Sequence, residues 1–390
     1  MIKIAFRRNL FYAMMFVIFN FLRKIDTIIM INYFEFYGCL ILIILMFLSN
    51  SISGLIVYLY HLKYLKEKQK TKFMGIELIQ APSNIQPPDG YIKIYSLLFL
   101  ASYLDFSEYL LSSYYIPDTF KDLSISLEWR LKCIIICASA FFCYTTLNFP
   151  IFKHQIITII IILTCLIIMI GTEIFAYSSN HDIDYILKVL FLMLIDHIFN
   201  SFLDVIEKYL LEYDFLNPFK ILMLRGIMGL ILSFFFTISQ DNPFKNLKAI
   251  YNEESNKFGY LLIFIILYFL LSCGRNIYRV ITNKLYSPTH KALFDYIIVP
   301  ILIIYYYFSF QDFKFNDKPI SYYFIINLII SFIVVIAGLI YNELIIIFIC
   351  GMEYNTHHEV SKRASEIDSK AFDISGSEND SQFSSFSNEE

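Results

Sequence analysis

Apolar blocks long enough to cross a bilayer follow one another along this chain, and that succession constrains its fold more than any motif does. The clearest pair lies between Asp184 and Gln240: LKVLFLMLIDHIFNSFLDVIEKYLL, a polar connector EYDFLNPFK, then ILMLRGIMGLILSFFF. A bilayer crossing takes roughly 20 residues at about 1.5 Å per residue of helix, and each run is long enough. So short a connector makes the two helices antiparallel neighbours. With 57% hydrophobic residues and its charges gathered between the blocks, the chain is too apolar for a water-soluble core. The runs are continuous and show no strand-like alternation, which selects helices over a closed barrel. The expected class is all-α, a polytopic membrane protein.

From the N-terminus, residues 10–22 form a short apolar run between Arg7-Arg8 and Arg23-Lys24-Ile25-Asp26, read as a degenerate first helix within residues 1–35. Residues 36–62 follow as a secure span ending in HLKYLKEKQKTK, whose lysines place that end in the cytoplasm. Further spans cover residues 92–116, 127–147 and 156–176, then the pair already described, then 258–281, 292–310 and 322–349. About ten helices result, the first included. The first membrane half is expected over 36–183 and the second over 184–350. A Ser-, Glu- and Asp-rich tail, 351–390, reads as disordered and cytoplasmic. Seven cysteines give neither a disulfide framework nor a zinc pattern, so no metal or cofactor is expected. The net charge of −3 is small, and no nucleic acid is expected as a partner.

Polar side chains inside the apolar runs fall at helical spacing. Asp196, Asn200 and Asp204 stand at i, i+4 and i+8, with Glu207 one turn on. Arg275, Arg279 and Asn283 repeat that spacing, with Asn276 beside them. Carboxylates facing hydrocarbon are costly, so the acidic row must face protein or water. A guanidinium at Arg275 can clamp a phosphate or carboxylate, while Arg279 equally suits the lipid interface. Asp105 and Glu108 lie one turn apart and suit a base, a proton or a structural ion pair. Arg130 and Lys132 open the fourth span, where an interfacial anchor is the alternative. His197, beside Asp196, reads as a packed imidazole. Asp295 follows Lys291 by four residues on one face, where the two can pair. Substrate-binding candidates are therefore Asp105, Arg130, Asp196, Asn200, Arg275, Asn276 and Asp295.

Several stretches carry a resemblance: SYLDFSEYLLSSYYIP, SISLEWRLKCIIICASAFFCY, DVIEKYLLEYDFLNPFKILMLRGIMGLI and TNKLYSPTHKALFDYIIVP. They look like the EamA-like repeats of the drug/metabolite transporter superfamily, and are most similar to solute carrier family 35, subfamily F. Leu104-Asp105 matches the Leu-Asp pair of the third span, and Ser124 with Arg130 matches the opening of the fourth. Glu207-Lys208-Tyr209 before Pro218 matches the end of the sixth, and Ser287, Thr289, Lys291 and Asp295 match the ninth. The likeness covers about residues 92–349. It departs at Arg225-Gly226, where relatives carry Glu-Gly, and at the eroded first helix. The resemblance implies two inverted five-helix repeats around a polar cavity, in an endomembrane such as Golgi, endoplasmic reticulum or a lysosome-like compartment, with the plasma membrane as the alternative. A faint internal echo agrees: Ser126-Leu127-Glu128-Trp129-Arg130 and Ser287-Pro288-Thr289-His290-Lys291 each open an apolar run from opposite sides.

The expected function is secondary transport of a polar organic metabolite, such as a nucleotide sugar or a phosphorylated compound, by alternating access. Its partners would be the lipid bilayer and that small metabolite, with a homodimer left open. Two alternatives stand beside it. One is a membrane-embedded transferase using His197 with Asp196 or Asn200, against which stands the lack of a zinc pair, a nucleophile elbow or a phosphate loop. The other is a carrier-derived scaffold without transport, which the Arg225 departure admits. The reading adopted is that of a carrier and not an enzyme.

Overall fold

Buried charge and exposed hydrocarbon separate this fold from a water-soluble one. In the computed structural model Asp105, Asp204, Glu207, Arg225 and Lys291 are each 0% exposed, whereas Ile167 at 69%, Phe175 at 73% and Phe234 at 63% stand on outer faces. A water-soluble chain does the reverse, so the outer surface here is the one that meets lipid. The structure describes residues 2–4, 10–36, 40–68, 72–73, 76–77, 90–116, 124–177, 182–240, 247–248, 251, 255–310 and 318–347. The tail expected to be disordered lies outside the described residues, as do most of the connectors 69–89 and 241–254.

In chain order the helices are α1 (Leu10–Phe34), α2 (Leu40–Lys68), α3 (Tyr91–Leu110), α4 (Ser124–Leu131), α5 (Ile134–Thr146), α6 (Lys153–Tyr177), α7 (Ile183–Glu212), α8 (Pro218–Ser239), α9 (Ser255–Leu285), α10 (Pro288–Tyr296), α11 (Val299–Phe310) and α12 (Lys318–Tyr341). Among the described residues seven segments are long and apolar enough to cross a membrane: Leu40–Lys63, Lys153–Phe175, Ile183–Glu212, Pro218–Ser239, Lys257–Leu285, Pro288–Tyr305 and Phe324–Tyr341. The chain is an all-α, multi-pass integral membrane protein. Two short antiparallel strand pairs accompany the helices, β2 (Lys72–Phe73) with β3 (Ile76–Glu77) and β1 (Ile2–Ile4) with β4 (Ile345–Ile347). In the second pair Ile2 faces Ile347 and Ile4 faces Ile345, so the two ends of the helical region are held together.

The first helix is longer than its apolar run. It continues through Arg23, Lys24 and Asp26 for 25 residues, with Asn20, Arg23 and Asp26 on its buried side. Those charges keep it out of the seven apolar segments, yet it packs along α9 and against α10. Two other stretches are interrupted. Lys132 and Cys133 break the α4–α5 pair after 8 residues, and Ile297 and Ile298 break the α10–α11 pair after 9. Helix α3 runs on into a π turn, Leu111–Tyr115, a geometry that often accompanies functional sites.

Local sequence explains several helix starts. The Asn217 side chain caps α8 by accepting from the Phe219 amide at 2.9 Å, and Pro218 supplies the preset first turn. Ser287 and Pro288 do the same for α10. The longest contacts run between α2 and α8 and between α1 and α9, with α6 on α12 next. At the first of these, a β-carbon on Gly226 would collide with the Ser51 backbone, so glycine sets how close the two helices come. Helix α1 packs on α9 as α7 packs on α3, α2 packs on α9 as α8 packs on α3, and α5 crosses α10.

Candidate functional site

The polar interior divides into two zones stacked along the bundle. The first is a ladder of matched charges. Arg225 on α8 donates Nε and Nη2 to Asp105 on α3, at 3.0 and 2.7 Å, and Nη1 to Glu207 on α7, at 2.6 Å. Arg279 on α9 reaches Asp204 at 2.7 Å, and Lys291 on α10 reaches the other Asp204 oxygen at 2.6 Å. Lys208 donates to the carbonyls of Asn283, Lys284 and Tyr286, at 3.0, 3.2 and 2.8 Å. An ammonium there answers the unsatisfied carbonyls at the C-terminal end of α9.

Adjoining the ladder is a cavity of about 80 Å³. Its wall contains Arg23, Lys24, Glu108, Glu128, Trp129 and Lys132, and from the later helices Asp196, His197, Asn200 and Arg275. Some of these charges are paired. Lys24 meets Glu128 at 2.6 Å, and Lys132, in the α4–α5 break, meets Asp295, two residues before the α10–α11 break, at 2.8 Å. Others are not. Arg275, 3% exposed, donates to Asn20 at 3.1 Å, and to Tyr109 and Asn276 at 3.2 Å each, all neutral. Arg23, 6% exposed, donates to the Tyr268 hydroxyl at 3.4 Å and leaves its Nε without a partner. Neither guanidinium has a carboxylate partner among the described residues.

Three of the seven candidate residues line the cavity, one belongs to the ladder, and three lie outside both. Asp196, Asn200 and Arg275 line the cavity. Asp105 belongs to the ladder, although Glu108, one turn away, faces the cavity. Asn276 stands behind the wall, bonded to Ser49 at 3.0 Å. Arg130 ties α4 to Glu173 on α6, which also accepts from Asn327 on α12 at 3.0 Å, away from the cavity wall. Asp295 does not pair with Lys291 as the spacing predicts, because Lys291 turns to Asp204. Instead Asp295 accepts from Lys132 and from Asn20, and Asn20 links it to Arg275. Asp204, Glu207 and Lys208 are buried in the bundle.

Sequence reasoning missed Asn20, Arg23 and Lys24, because they sit in a segment read as an eroded helix and its flank. A signal was present, since Asn20, Arg23 and Thr27 at i, i+3 and i+7 mark one helix face. The single tryptophan, Trp129, also lies in the cavity wall, which its composition did not reveal. No metal-binding group of three His, Cys, Asp or Glu side chains occurs among the described residues. No protein-family model matches the chain, and no curated protein matches it either.

Proposed function

We propose that the chain is a secondary carrier moving a small polar organic anion, such as a phosphorylated or nucleotide-linked metabolite, across a membrane. The observation that carries this reading is the pair Arg23 and Arg275, two buried guanidiniums in a cavity wall without a carboxylate partner. An uncompensated buried charge is costly, and a phosphate or carboxylate ligand offsets that cost with paired, charge-assisted hydrogen bonds. Aromatic groups in the same wall, Trp129, Tyr109 and Tyr268, give an organic anion a surface to lie on.

The architecture proposed is that implied by the drug/metabolite transporter resemblance: ten crossings in two inverted halves, α1 to α6 and α7 to α12. Three observations support it. The β1–β4 pair puts both ends of the helical region on one face, which an even number of crossings requires and seven does not. The contacts exchange correctly between halves, α1 on α9 answering α7 on α3, and α2 on α9 answering α8 on α3. The interrupted pairs α4–α5 and α10–α11 occupy corresponding places, as in carriers whose broken helices meet at the site. Arg225, the departure that admits a scaffold without transport, is neutralised by Asp105 and Glu207. In the expected topology the ladder then closes the cytoplasmic end of the cavity, in an endomembrane.

Uptake into proteoliposomes containing the purified full chain tests the reading, with sugar phosphates, nucleotide sugars, thiamine-like cations and neutral amino acids offered separately. Uptake restricted to the anions, and lost in Arg275→Gln with the melting temperature lowered only slightly, is expected. Uptake of the cations, or anion uptake indifferent to both Arg23→Gln and Arg275→Gln, would overturn it.

A further inference from the structure

Two carboxylates in the cavity wall have the deficit opposite to that of the guanidiniums. Glu108 on α3 and Asp196 on α7 both line the cavity, and neither forms an ion pair with a lysine or arginine among the described residues. Asn200, one turn along α7 from Asp196, donates its amide to Glu108 at 2.8 Å. With that bond made, Asn200 Oδ1 and Asp196 Oδ1 are left as buried acceptors with no donor. Both side chains are 3% exposed. What this cluster lacks is a hydrogen to share. A carboxylate offers none, whereas a carboxylic acid donates one and still accepts. The backbone is also irregular here, since the π turn Leu111–Tyr115 begins three residues after Glu108 and contributes Ser112 and Ser113 to the wall.

We propose that Glu108, bonded to Asn200, and Asp196, one turn from Asn200 on α7, bind one exchangeable proton that travels with the anion. This rests on the carrier reading of the same cavity. The proton is taken from the aqueous phase on the loading side, sits on one carboxylate oxygen, and leaves to water on the other side. Its effect follows from charge. The groups facing Glu108 are Arg23 from α1, Asp196 from α7, Arg275 and Arg279 from α9, and Asp105 on α3 itself, held by Arg225 of α8. Those facing Asp196 are Lys24 from α1, Glu128 from α4 and His197 beside it, with Lys132 near Lys24. Neutralising one carboxylate removes a negative charge that repels the anion near Arg23 and Arg275. Each ligand then raises the affinity of the other by the same factor.

Trp129 supplies the readout, being the one tryptophan in the chain and part of the cavity wall. It connects to the cluster through His197, whose Nε2 lies 2.9 Å from the Glu128 carbonyl and whose Nδ1 lies 3.3 Å from Asp196. The full chain in lipid nanodiscs is titrated from about pH 5 to about pH 9, the range over which a buried carboxyl ionises. Trp129 emission is expected to follow one proton, to lose that dependence in Glu108→Gln and in Asp196→Asn, and to keep it in His197→Gln. Infrared difference spectra of the unmutated protein over the same range should show one carboxylic acid band, a check that does not depend on a variant folding. With inorganic pyrophosphate as the anion probe, quenching should strengthen as pH falls, and become independent of pH in Glu108→Gln. The proposal falls if emission and infrared bands are flat, if the titration disappears only in His197→Gln, or if sodium ions replace protons in producing it. Anion uptake without any pH dependence would also sink it while leaving the carrier reading intact. A titration of the expected kind with no anion bound or transported would uphold the proton site and refute the carrier.

Discussion

The ladder and the cavity differ by one helical turn on each of three helices. On α7 the border falls between Asn200 and Asp204, on α9 between Arg275 and Arg279, and on α3 between Glu108 and Asp105. On one side of that border every carboxylate has a basic partner, with distances of 2.6 to 2.7 Å. On the other, guanidiniums and carboxylates share a wall without meeting. Arg23, Arg275 and Asp196 in the wall are 3 to 6% exposed, nearly as buried as the ladder, so desolvation does not set those groups apart from it. What differs is whether each charge finds its counterpart inside the protein. A matched ladder holds helices together, and an unmatched wall holds something that comes from outside.

That contrast predicts opposite responses to losing a charge. Arg225→Leu strands Asp105 and Glu207 side by side and should destabilise the protein by about 3–5 kcal/mol, read as a large fall in melting temperature and in membrane yield. Adding Asp105→Asn and Glu207→Gln should restore most of it, and a failure to recover would mean that the ladder is not held by charge matching. Asp295→Asn removes the counter-charge of Lys132 at the helix break and should cost about 1.5–3 kcal/mol, with uptake per folded molecule kept. Loss of uptake at an unchanged melting temperature would instead assign Asp295 to the cavity. Arg275→Gln leaves no carboxylate stranded, so only about 1 kcal/mol of stability should go, while anion uptake is abolished. Lys24→Gln breaks a pair whose side chains are 15% and 21% exposed, and about 0–1 kcal/mol is expected in a thermal melt.

Much of the helical plan was legible in the sequence, because apolar length alone decides what can cross a bilayer. The polar rows were legible too. Asp196, Asn200 and Asp204 were found by their spacing, as were Arg275 and Arg279. Their division was not, since it depends on which helix supplies the partner. Arg225 looks like a reversed charge until Asp105 and Glu207, 120 and 18 residues away, are seen against it. Lys291 and Asp295 share a face, yet the pairing that spacing allows gives way to Asp204 on α7 and Lys132 at the α4–α5 break. Helix α1 was read as a degenerate first helix, but its charges were taken as flanks, and the structure makes them contacts.

That first helix also sets a schedule for biogenesis. Arg23, Lys24 and Asp26 lie well inside it, and each would add about 2.5–3.5 kcal/mol to insertion of an isolated helix at its centre. The groups that answer this polar face come late, since Asn20 bonds Asp295 across 275 residues of chain, a separation that takes on the order of tens of seconds to synthesise. Until α9 and α10 emerge, α1 should wait at the translocon or in the care of a membrane chaperone, and take its place only when the bundle closes. Arrested chains carrying Phe16→Cys should therefore react with a membrane-impermeant thiol reagent when they end at residue 254. Protection should appear once the chain extends to residue 310, and early protection would show that α1 settles alone.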